Sequence, residues 1–490
     1  MSKTIQQSSC RDEVRRQAPA RARSACALTL LCAGLAACGG GQLFRSYSVG
    51  GDATGFSGEL RLLNNGDDAL SLTQPGPFTF GKLQSWHSSY SVTVGTHPPA
   101  QWCDVSNGSG SITGNVHDVQ VQCRAGALSS VARFASDPTD AAQPHGDVIQ
   151  GRDGALYGIS AAGGNHGAGT VYKVAADGTK SVVYSFAGGH DGARPAHGLT
   201  AGPGPQGTLY GVTLGGGANG QGVVFTLDAQ GRECALHAFA AGTANGLQPS
   251  GILLRARDGS LYGVTSRGGA HGHGTMFRID PSGRFELVHS FGVSASDLSS
   301  PGGRLVQDAD GMIYGTSAAG GASGRGGIYR FDPSTRRVAV VMSADAALVG
   351  AGALEFGLVR GRDGNFYGVA PQGGAYHVGT VFRVTPWGAV QSLHDFQGAA
   401  DGQQPSGALI QASDGALYGV TAAGGANSRG TVYRVSPSGR ASVLTAFGAR
   451  GSSERPAGRL LLGANGYLYG IASDPVASTA APAGTLFALD

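Results

Sequence analysis

The dipeptide Tyr-Gly recurs seven times along this chain at an almost constant interval. Its tyrosines are 51 to 53 residues apart and lie at Tyr157, Tyr210, Tyr262, Tyr314, Tyr367, Tyr418 and Tyr469. A repeat of about 50 residues without helical periodicity is typical of β-propellers and of stacked β-repeats. Because each copy of such a repeat buries its faces only against its neighbours, this spacing constrains most of the chain at once.

Each repeat is predicted to contain four short strands. In the copy around Tyr418, apolar and β-branched runs occupy residues 408–411, 416–421, 431–435 and 442–447. Asp414-Gly415 separates the first two runs and favours a tight hairpin turn. Runs of this composition, bounded by Gly, Pro, Asp and Ser, indicate strands. Four antiparallel strands in each repeat correspond to one blade of a β-propeller.

The two ends of the repeat region complement each other. The last repeat stops at its third strand, 484–490, and a match to a fourth strand, 128–134, precedes the first repeat. Pairing these two segments would remove an open sheet edge, which an unclosed array of repeats would leave exposed. We therefore predict an all-β chain: a seven-bladed β-propeller of four-stranded blades, closed by an N-terminal strand and preceded by a small β-sandwich.

Residues 1–37 are predicted to be a signal peptide. Arginines dominate the charge of 1–24, and 25–37 form an apolar run that is too short to span a bilayer but suits a secretory signal. The run ends in Leu35-Ala36-Ala37-Cys38-Gly39, which resembles the bacterial lipobox. The resemblance implies cleavage before Cys38 and lipidation of that cysteine, and Gly39 in place of an aspartate favours the outer membrane. We therefore expect a lipid-anchored protein of the bacterial cell envelope, on the periplasmic or the surface-exposed side.

Loss of the signal peptide changes the net charge of the chain. The precursor has 35 Lys and Arg residues against 32 Asp and Glu residues, and residues 1–37 contain six of the former and two of the latter. The mature chain therefore has a net charge of −1 with neutral histidines. Because a nucleic-acid-binding protein needs a basic surface, no nucleic-acid partner is expected.

A separate module is predicted between the membrane and the repeats. Residues 38–46 form a short tether, and 47–124 contain alternating apolar runs and a hairpin signal at 64–67 but no Tyr-Gly pair. Cys103 and Cys123 both lie in this module, so we expect them to form a disulfide, which export permits and which stabilises the fold by about 3 kcal/mol. The module resembles the short immunoglobulin- or prealbumin-like modules of bacterial lipoproteins. The resemblance implies a spacer.

The repeats at 125–490 resemble the GloVer tandem-repeat family of bacterial surface proteins. The resemblance rests on the segments Leu261-Tyr262-Gly263-Val264-Thr265, Gly268-Gly269 and Gly274-Thr275-Met276-Phe277, and on their equivalents in the copy around Tyr418. It implies the propeller architecture and attachment to the cell envelope. The family has no established activity, so the resemblance implies no catalytic residue.

Antiparallel blades place their connections on two faces. The turn face carries tight turns such as 151–155, after the first strand of a blade, and 175–179, after the third. The loop face carries longer, more variable loops such as 164–169 and the connections between blades, such as 187–192. Because binding residues often lie on loops of a rigid scaffold, we predict that the loop face binds a glycan or a protein. Its candidate residues are His166, His190, Asp191, Arg194, His271, His273, His377, Asp401 and Arg429. Alternatively, these residues are solvated loop tips.

A second hypothesis is an enzyme, either a lyase or a glycoside hydrolase, that acts at the central channel. Such an enzyme needs acid and base groups on the first strands of the blades, which line the channel. These strands are mostly aliphatic, but Asp147, Arg304 and Arg459 occupy equivalent positions and are the candidate catalytic residues. The sequence contains no Gly-x-Ser-x-Gly, phosphate-loop or His-Glu-x-x-His motif. A third hypothesis is a purely structural component of the envelope.

Neither a metal ion nor another cofactor is expected. His271 and His273 alternate on a glycine-rich loop but have no carboxylate beside them in the sequence. The Asp-Gly pairs lack the clustered Asp-x-Asp pattern of calcium loops, and turn formation explains them. The expected state is a monomer, and its expected partners are the membrane, through Cys38, and a glycan or protein ligand.

Overall fold

A computed structural model describes residues 46–98, 101–134, 139–203, 207–240, 245–294, 296–349, 354, 356–412, 414–448, 455–473 and 484–489. The described chain divides into two compact units, one ending at Ala125 and the other beginning at Gly126. The predicted signal peptide, with Cys38, lies outside the described residues. Within the described ranges, no helix is long and apolar enough to cross a membrane.

The unit that ends at Ala125 is built from ten strands. They are β1 (Ser46–Tyr47), β2 (Val49–Thr54), β3 (Leu60–Asn64), β4 (Asp68–Leu72), β5 (Gly76–Thr79), β6 (Gln84–Ser85), β7 (Ser89–Thr96), β8 (Gln101–Ser106), β9 (Ser109–Ser111) and β10 (Val116–Ala125). Two four-stranded sheets have the orders β5-β2-β10-β8 and β4-β3-β7-β9. Alternate residues of β3, Leu60 and Leu62, are buried in one core with Val119 and Val121 of β10. Because the two sheets share this core, the unit is a small β-sandwich.

The expected disulfide joins Cys103 of β8 to Cys123 of β10. The two residues lie directly opposite each other in the antiparallel pairing of these strands, and their Cα atoms are 3.9 Å apart. Both cysteines are buried in the core of the unit. The disulfide therefore joins neighbouring strands within one sheet.

The unit that begins at Gly126 contains 28 strands and one short helix within the described residues. The strand β11 (Leu128–Phe134) comes first. The next three blades contain β12 (Ala141–Gln150), β13 (Leu156–Gly163), β14 (Thr170–Val174), β15 (Lys180–Ser185), β16 (Ala193–Ala201), β17 (Leu209–Gly215), β18 (Val223–Leu227), β19 (Glu233–Ala238), β20 (Leu247–Arg255), β21 (Leu261–Arg267), β22 (Thr275–Ile279) and β23 (Phe285–Ser290). The remaining elements are β24 (Leu298–Gln307), β25 (Ile313–Gly320), β26 (Gly327–Asp332), β27 (Arg337–Ser343), α1 (Ala346–Val349), β28 (Val359–Arg360), β29 (Phe366–Ala370), β30 (Thr380–Val384), β31 (Val390–Asp395), β32 (Gln403–Gln411), β33 (Leu417–Ala423), β34 (Thr431–Val435), β35 (Ala441–Ala446), β36 (Arg455–Leu462), β37 (Leu468–Ser473) and β38 (Gly484–Leu489).

In the described ranges these strands form seven four-stranded antiparallel blades, of which the first two are joined by a single parallel bridge. The last blade combines β36, β37 and β38 with β11 from the other end of the repeat region. Leu128 lies opposite Leu489 and Phe134 lies opposite Gly484 in this antiparallel pairing. The prediction that 128–134 completes the last blade is therefore confirmed.

The first and last blades also pack against each other. Strand β12 contacts β36 and β37. Phe134 and Leu486 of the last blade share a buried cluster with Val148 and Tyr172 of the first, and the rings of Phe134 and Tyr172 are 4.6 Å apart. The repeats therefore close into a ring, and the predicted all-β propeller fold is confirmed.

The glycine of each Tyr-Gly pair makes room for an aromatic ring of the next strand. Gly158 lies opposite Tyr172 in the pairing of β13 with β14, and Gly263 lies opposite Phe277 in the third blade. A Cβ at Gly158 would lie 2.3 Å from the hydroxyl oxygen of Tyr172, and one at Gly263 would lie 2.3 Å from Cζ of Phe277. The glycine is therefore a packing requirement of the blade.

The tight turns of the turn face carry a recurring polar cluster. Tyr157 of the first blade donates a hydrogen bond of 2.9 Å to Asp153 in the preceding turn. A cation from the third strand completes the cluster, as Lys173 does with Asp153 at 2.7 Å and Arg434 with Asp414 at 2.9 Å. The aspartates of the Asp-Gly turns therefore hold their own blades together.

Candidate functional site

The strands that line the channel share an irregular step in their pairing with the second strand of the blade. The residue at this step has a left-handed backbone, with φ between +69° and +86°, in five blades, where it is Gly146, Gly251, Gly303, Gly407 or Gly458. A Cβ at Gly251 would lie only 1.8 Å from the carbonyl oxygen of Gly303 in the next blade. Glycine is therefore required both by the backbone conformation and by the close approach of neighbouring blades.

The second blade has a histidine at this position. His197 adopts the same left-handed conformation, with φ of +68°, and its carbonyl oxygen lies 2.5 Å from the place a Cβ of Gly146 would occupy. The left-handed region costs an L-residue other than glycine about 1–2 kcal/mol. Such strained residues cluster at functional sites, so His197 is a candidate functional residue of the channel.

A cavity of about 530 Å³ occupies the channel. Its walls are formed by the irregular steps of the inner strands, and its edge includes Leu214, Ser266 and Ala318. These three residues hold equivalent positions near the loop-face ends of β17, β21 and β25. The cavity therefore opens at the centre of the loop face, and its volume lies in the range of small-molecule sites, roughly 300–1,000 Å³.

Asp147 and Arg304, two of the three candidate catalytic residues, line this cavity, and the third, Arg459, contacts Asp147. Arg304 reaches across the channel from the fourth blade, and its Nη2 lies 3.1 Å from Oδ2 of Asp147 in the first blade. The other carboxylate oxygen of Asp147 accepts a hydrogen bond of 3.0 Å from the backbone N–H of Arg459 in the last blade. The Nε of Arg459 donates to the carbonyl of Leu409 at 3.3 Å. The structure thus brings together three residues that the sequence places in equivalent positions of separate repeats.

This cluster carries one excess positive charge. The pKa of Arg459 is lowered to about 10, chiefly by burial and also by the guanidinium of Arg304, while the carboxylate of Asp147 acts in the opposite direction. Arg459 therefore remains protonated at neutral pH, and two guanidinium groups accompany a single carboxylate. The side chain of Asp147 is 9 % exposed and that of Arg304 is 28 % exposed, so solvent screens their pair only in part.

Two histidines lie beside the charged cluster and line the same cavity. The pKa of His197 is lowered to about 4, chiefly by burial and also by the neighbouring His145, while Asp147 and the carbonyl of Pro249 act in the opposite direction. Burial also lowers the pKa of His145, while hydrogen bonds to the carbonyls of Gln143 and Pro195 oppose that shift. Both rings are therefore neutral at physiological pH.

Two polar atoms in this group have no hydrogen-bond partner among the described residues. They are the buried Nε of Arg304 and the buried Nε2 of His197. A buried polar group without a partner costs about 1–3 kcal/mol, and native proteins contain few of them. They are two of the twelve such atoms among the described residues, and both belong to residues that line the cavity, so they are candidates for contact with a ligand there.

Most of the predicted loop-face residues are exposed. These are His166, His190, Arg194, His271, His273 and His377, which lie on the loops and connections of several blades. Arg429 is partly buried and lies at the base of its loop, where its backbone bridges to Gly424. These residues lie on separate loops of the loop face.

Asp191 and Asp401 instead hold the connections between blades. Asp191 accepts hydrogen bonds from the backbone N–H of Ala187 at 2.6 Å and from the hydroxyl of Tyr184 at 3.1 Å. Asp401 similarly accepts from the backbone N–H of Gln397 and contacts Nε2 of His394, both at 2.8 Å. Since both carboxylates make the same contacts inside their own connections, they shape the loop face.

Other predicted chemistry can be placed only in part. Within the described residues, no three His, Cys, Asp or Glu side chains come together in an arrangement that could hold a metal ion. Cys38, the predicted lipidation site, lies outside the described residues. The lipid anchor therefore remains a prediction.

His145 and His197 were not predicted from the sequence. An alignment of the inner strands shows a signal for His197, because it stands where five other copies have glycine. Two extra residues between the first and second apolar runs of the second repeat shift the register between copies and obscure this match. His145 gives a weaker signal, because its position varies among the other copies between small residues and a glutamate, Glu355.

The fold and the cavity define the protein as a β-propeller with a channel cavity whose wall is mostly apolar and includes the Asp147–Arg304 ion pair. A family model described as the Gloeobacter/Verrucomicrobia repeat matches residues 104–309 and 300–490, and the chain belongs to this family. The family that the repeats resembled in the sequence is therefore confirmed. A comparison with curated proteins gives no match.

Several solved structures are similar to the chain at low sequence identity. A gluconolactonase from Xanthomonas campestris is 14 % identical over 74 % of this chain and 89 % of its own, with a TM-score of 0.39. The extracellular domain of a putative one component system from B. thetaiotaomicron is 14 % identical over 78 % of this chain, with a TM-score of 0.49, but the match spans only 46 % of that domain. An oligogalacturonate lyase from Vibrio parahaemolyticus is 9 % identical over 83 % of this chain and 98 % of its own, with a TM-score of 0.47.

Proposed function

We propose that this protein is a binding protein of the bacterial cell envelope that receives a glycan or protein ligand on its loop face, centred on the channel cavity. The observation that carries the proposal is the position of the cavity. It opens among the exposed, variable loops of the loop face and ends at a charged cluster with unpaired polar atoms. Concave sites with a few converging polar groups are where ligands usually bind.

The contacts of Asp147 favour binding over catalysis. Its two carboxylate oxygens are engaged by the guanidinium of Arg304 and by the backbone N–H of Arg459. A carboxylate held in this way positions the arginines and is poorly placed to take a proton from a substrate. Among the described residues that line the cavity, Asp147 is also the single carboxylate, whereas glycoside hydrolysis uses a pair.

The same proposal includes the cellular location that the N-terminal sequence predicts, which is the outer membrane. Cys38 carries the lipid anchor, and the small β-sandwich acts as a spacer beside the outer membrane. Metabolic labelling with a radioactive fatty acid tests the anchor, because the label should enter the native chain and be lost in Cys38→Ser. Equal labelling of both chains would show that Cys38 is not the attachment site.

The binding role is tested with one variant that fills the cavity. Gly302 lines the cavity, and a Cβ at this position would meet open space without backbone strain, so Gly302→Leu should fill the site and keep the fold. Gly114 of the β-sandwich is equally open, and Gly114→Leu is the matched control. The purified full chain and both variants are screened against envelope polysaccharides and envelope extracts.

The proposal expects a ligand that binds the native chain and Gly114→Leu but not Gly302→Leu. Binding that survives in Gly302→Leu would place the ligand away from the cavity, and no binding by the folded native chain would reject the proposal. If the bound polymer is instead cleaved, and Asp147→Asn stops the cleavage, the enzymatic hypothesis replaces the binding hypothesis.

A further inference from the structure

The charge of the channel cluster favours a singly charged anion. Asp147 balances one of the two guanidinium groups, and Arg459 supplies the excess positive charge behind the pair. A carboxylate would neutralise this charge. A doubly charged phosphate would leave negative charge without a partner in a site that is largely shielded from water, which is unfavourable.

The two unpaired atoms add a second requirement. The Nε–H of Arg304 can only donate a hydrogen bond, so it suits a carboxylate oxygen. Nε2 of His197 has no hydrogen-bond partner among the described residues. A nitrogen of a neutral imidazole donates or accepts according to the tautomer, and a hydroxyl group suits either role because it can do both. The cavity thus offers one partner for a carboxylate and one for a hydroxyl.

The backbone at His197 indicates that the imidazole itself is used. Glycine fills this position in five blades and adopts the left-handed conformation without strain. Stability alone would therefore favour glycine in the second blade too. A histidine with an unpartnered ring nitrogen in the wall of the cavity gives the site a group that no other blade supplies at this position.

We propose that the cavity binds an acidic sugar, with the sugar carboxylate on Arg304 and a sugar hydroxyl on Nε2 of His197. This inference rests on the proposed function, because it names the part of the ligand that enters the cavity. A free sugar acid and a sugar-acid unit of a polysaccharide present the same chemistry. The experiment below separates these two sources.

Calorimetric titration of the purified full chain with methyl glucuronide and methyl glucoside tests the inference. The two probes differ only at the sixth carbon, which is a carboxylate in the first and a hydroxymethyl group in the second. The glucuronide should bind about 10- to 100-fold more tightly, which is the range for one hydrogen bond to a charged group. A glucuronate oligosaccharide that binds more tightly than the monosaccharide identifies a polysaccharide ligand, and equal affinity identifies a free sugar acid.

The chain offers a closely matched control for Arg304. Arg360 pairs with Asp308 of another blade at the turn face, and the exposures of the two side chains, 30 % and 10 %, nearly equal the 28 % and 9 % of Arg304 and Asp147. Arg304→Gln should abolish the preference for the glucuronide, while Arg360→Gln should keep it. His197→Gly introduces the residue found at this position in five blades. It should weaken the binding of both sugars about tenfold, as expected for the loss of one hydrogen bond.

Equal affinity of the native chain for both sugars would overturn the inference, as would the same change in preference for both arginine variants. The outcome also separates this inference from the proposed function. If an envelope ligand binds the native chain but not Gly302→Leu, and neither sugar binds, the binding role stands and the acidic sugar is wrong. If the folded native chain binds nothing, both are wrong.

Discussion

The turn face and the channel cavity contain the same kinds of charged side chain, but these side chains have different roles. On the turn face, aspartates such as Asp153 and Asp414 accept hydrogen bonds from their own turns and pair with a cation of the same blade. In the cavity, Asp147 is engaged by residues of two other blades. The equivalent residues of the remaining blades are Gly198, Ile252, Gly357 and Ala408. Polar groups that recur in most repeats thus serve the fold, whereas those that break the repeat mark the site.

The strongest test of this comparison uses Asp414 and Asp147. Asp414→Asn leaves the buried guanidinium of Arg434 without its counter-charge, and the two side chains are only 3 % and 11 % exposed. The free energy of unfolding should fall by about 3 kcal/mol, since a buried pair has lost one partner. Urea denaturation measures this change. Binding at the cavity should be unaffected.

Asp147→Asn is the counterpart of this variant in the cavity. Because Arg304 is partly exposed, the loss of stability should be smaller, while ligand binding should change. The comparison fails if Asp147→Asn destabilises the chain more than Asp414→Asn does and leaves binding intact.

The next largest effect compares two blades at one position. Gly251→Ala places a Cβ 1.8 Å from the carbonyl oxygen of Gly303 and imposes a left-handed conformation on alanine. We expect a loss of about 2–3 kcal/mol from backbone strain and displacement of the next blade. His197→Gly should change stability by less than about 1 kcal/mol, because relief of strain offsets the lost contacts. Thermal unfolding of both variants checks the pair, and a large loss in His197→Gly would show that the imidazole is structural.

The pH dependence of the free energy of unfolding should also reveal the buried histidine of the cavity, His197. The folded pKa of His197 is about 4 against 6.5 for an unperturbed histidine, so the unfolded chain binds the proton more strongly between these values. Stability should therefore fall as the pH drops from about 6.5 to about 4, and then this contribution should stay constant. Between these pH values the free energy of unfolding of the native chain should fall by roughly 1–3 kcal/mol more than that of His197→Gly. Parallel pH profiles of the two chains would contradict the prediction.

The smallest expected effect is that of Arg360→Gln. This partly exposed ion pair with Asp308 joins the fourth and fifth blades at the turn face. Its loss should lower the free energy of unfolding by about 0.5–1 kcal/mol, the usual contribution of such pairs. Chemical denaturation checks the value, and a change in ligand affinity would show that the turn face and the cavity are coupled.

Much of the architecture could be predicted because it depends on local patterns repeated many times. Tyr-Gly and the apolar runs mark the strands of every blade, Asp-Gly turns mark five of the seven repeats, and the unmatched segments 128–134 and 484–490 indicate closure. The alignment of repeats also placed Asp147, Arg304 and Arg459 on the channel. In each case, one copy can be checked against six others.

The partners inside the site could not be predicted in the same way. Arg304 meets Asp147 across 157 positions of sequence because the ring closes and the channel is narrow. Asp191 and Asp401 were natural candidates for binding, yet they hold the connections between blades. Which polar group stays unpaired depends on the positions of all its neighbours, and the pattern of one segment does not contain them.

The sequence by itself determined the repeat, the strand pattern and the closing strand, because each follows from local backbone preferences or from residues that recur in register. It also determined the cysteine pair, since both cysteines lie in one small module. Only the tertiary structure decided that Arg304, Asp147 and His197 line one cavity and that Arg459 contacts Asp147. The reason is physical: a blade's stability depends on itself and its two neighbours, whereas the channel is formed by all the blades together.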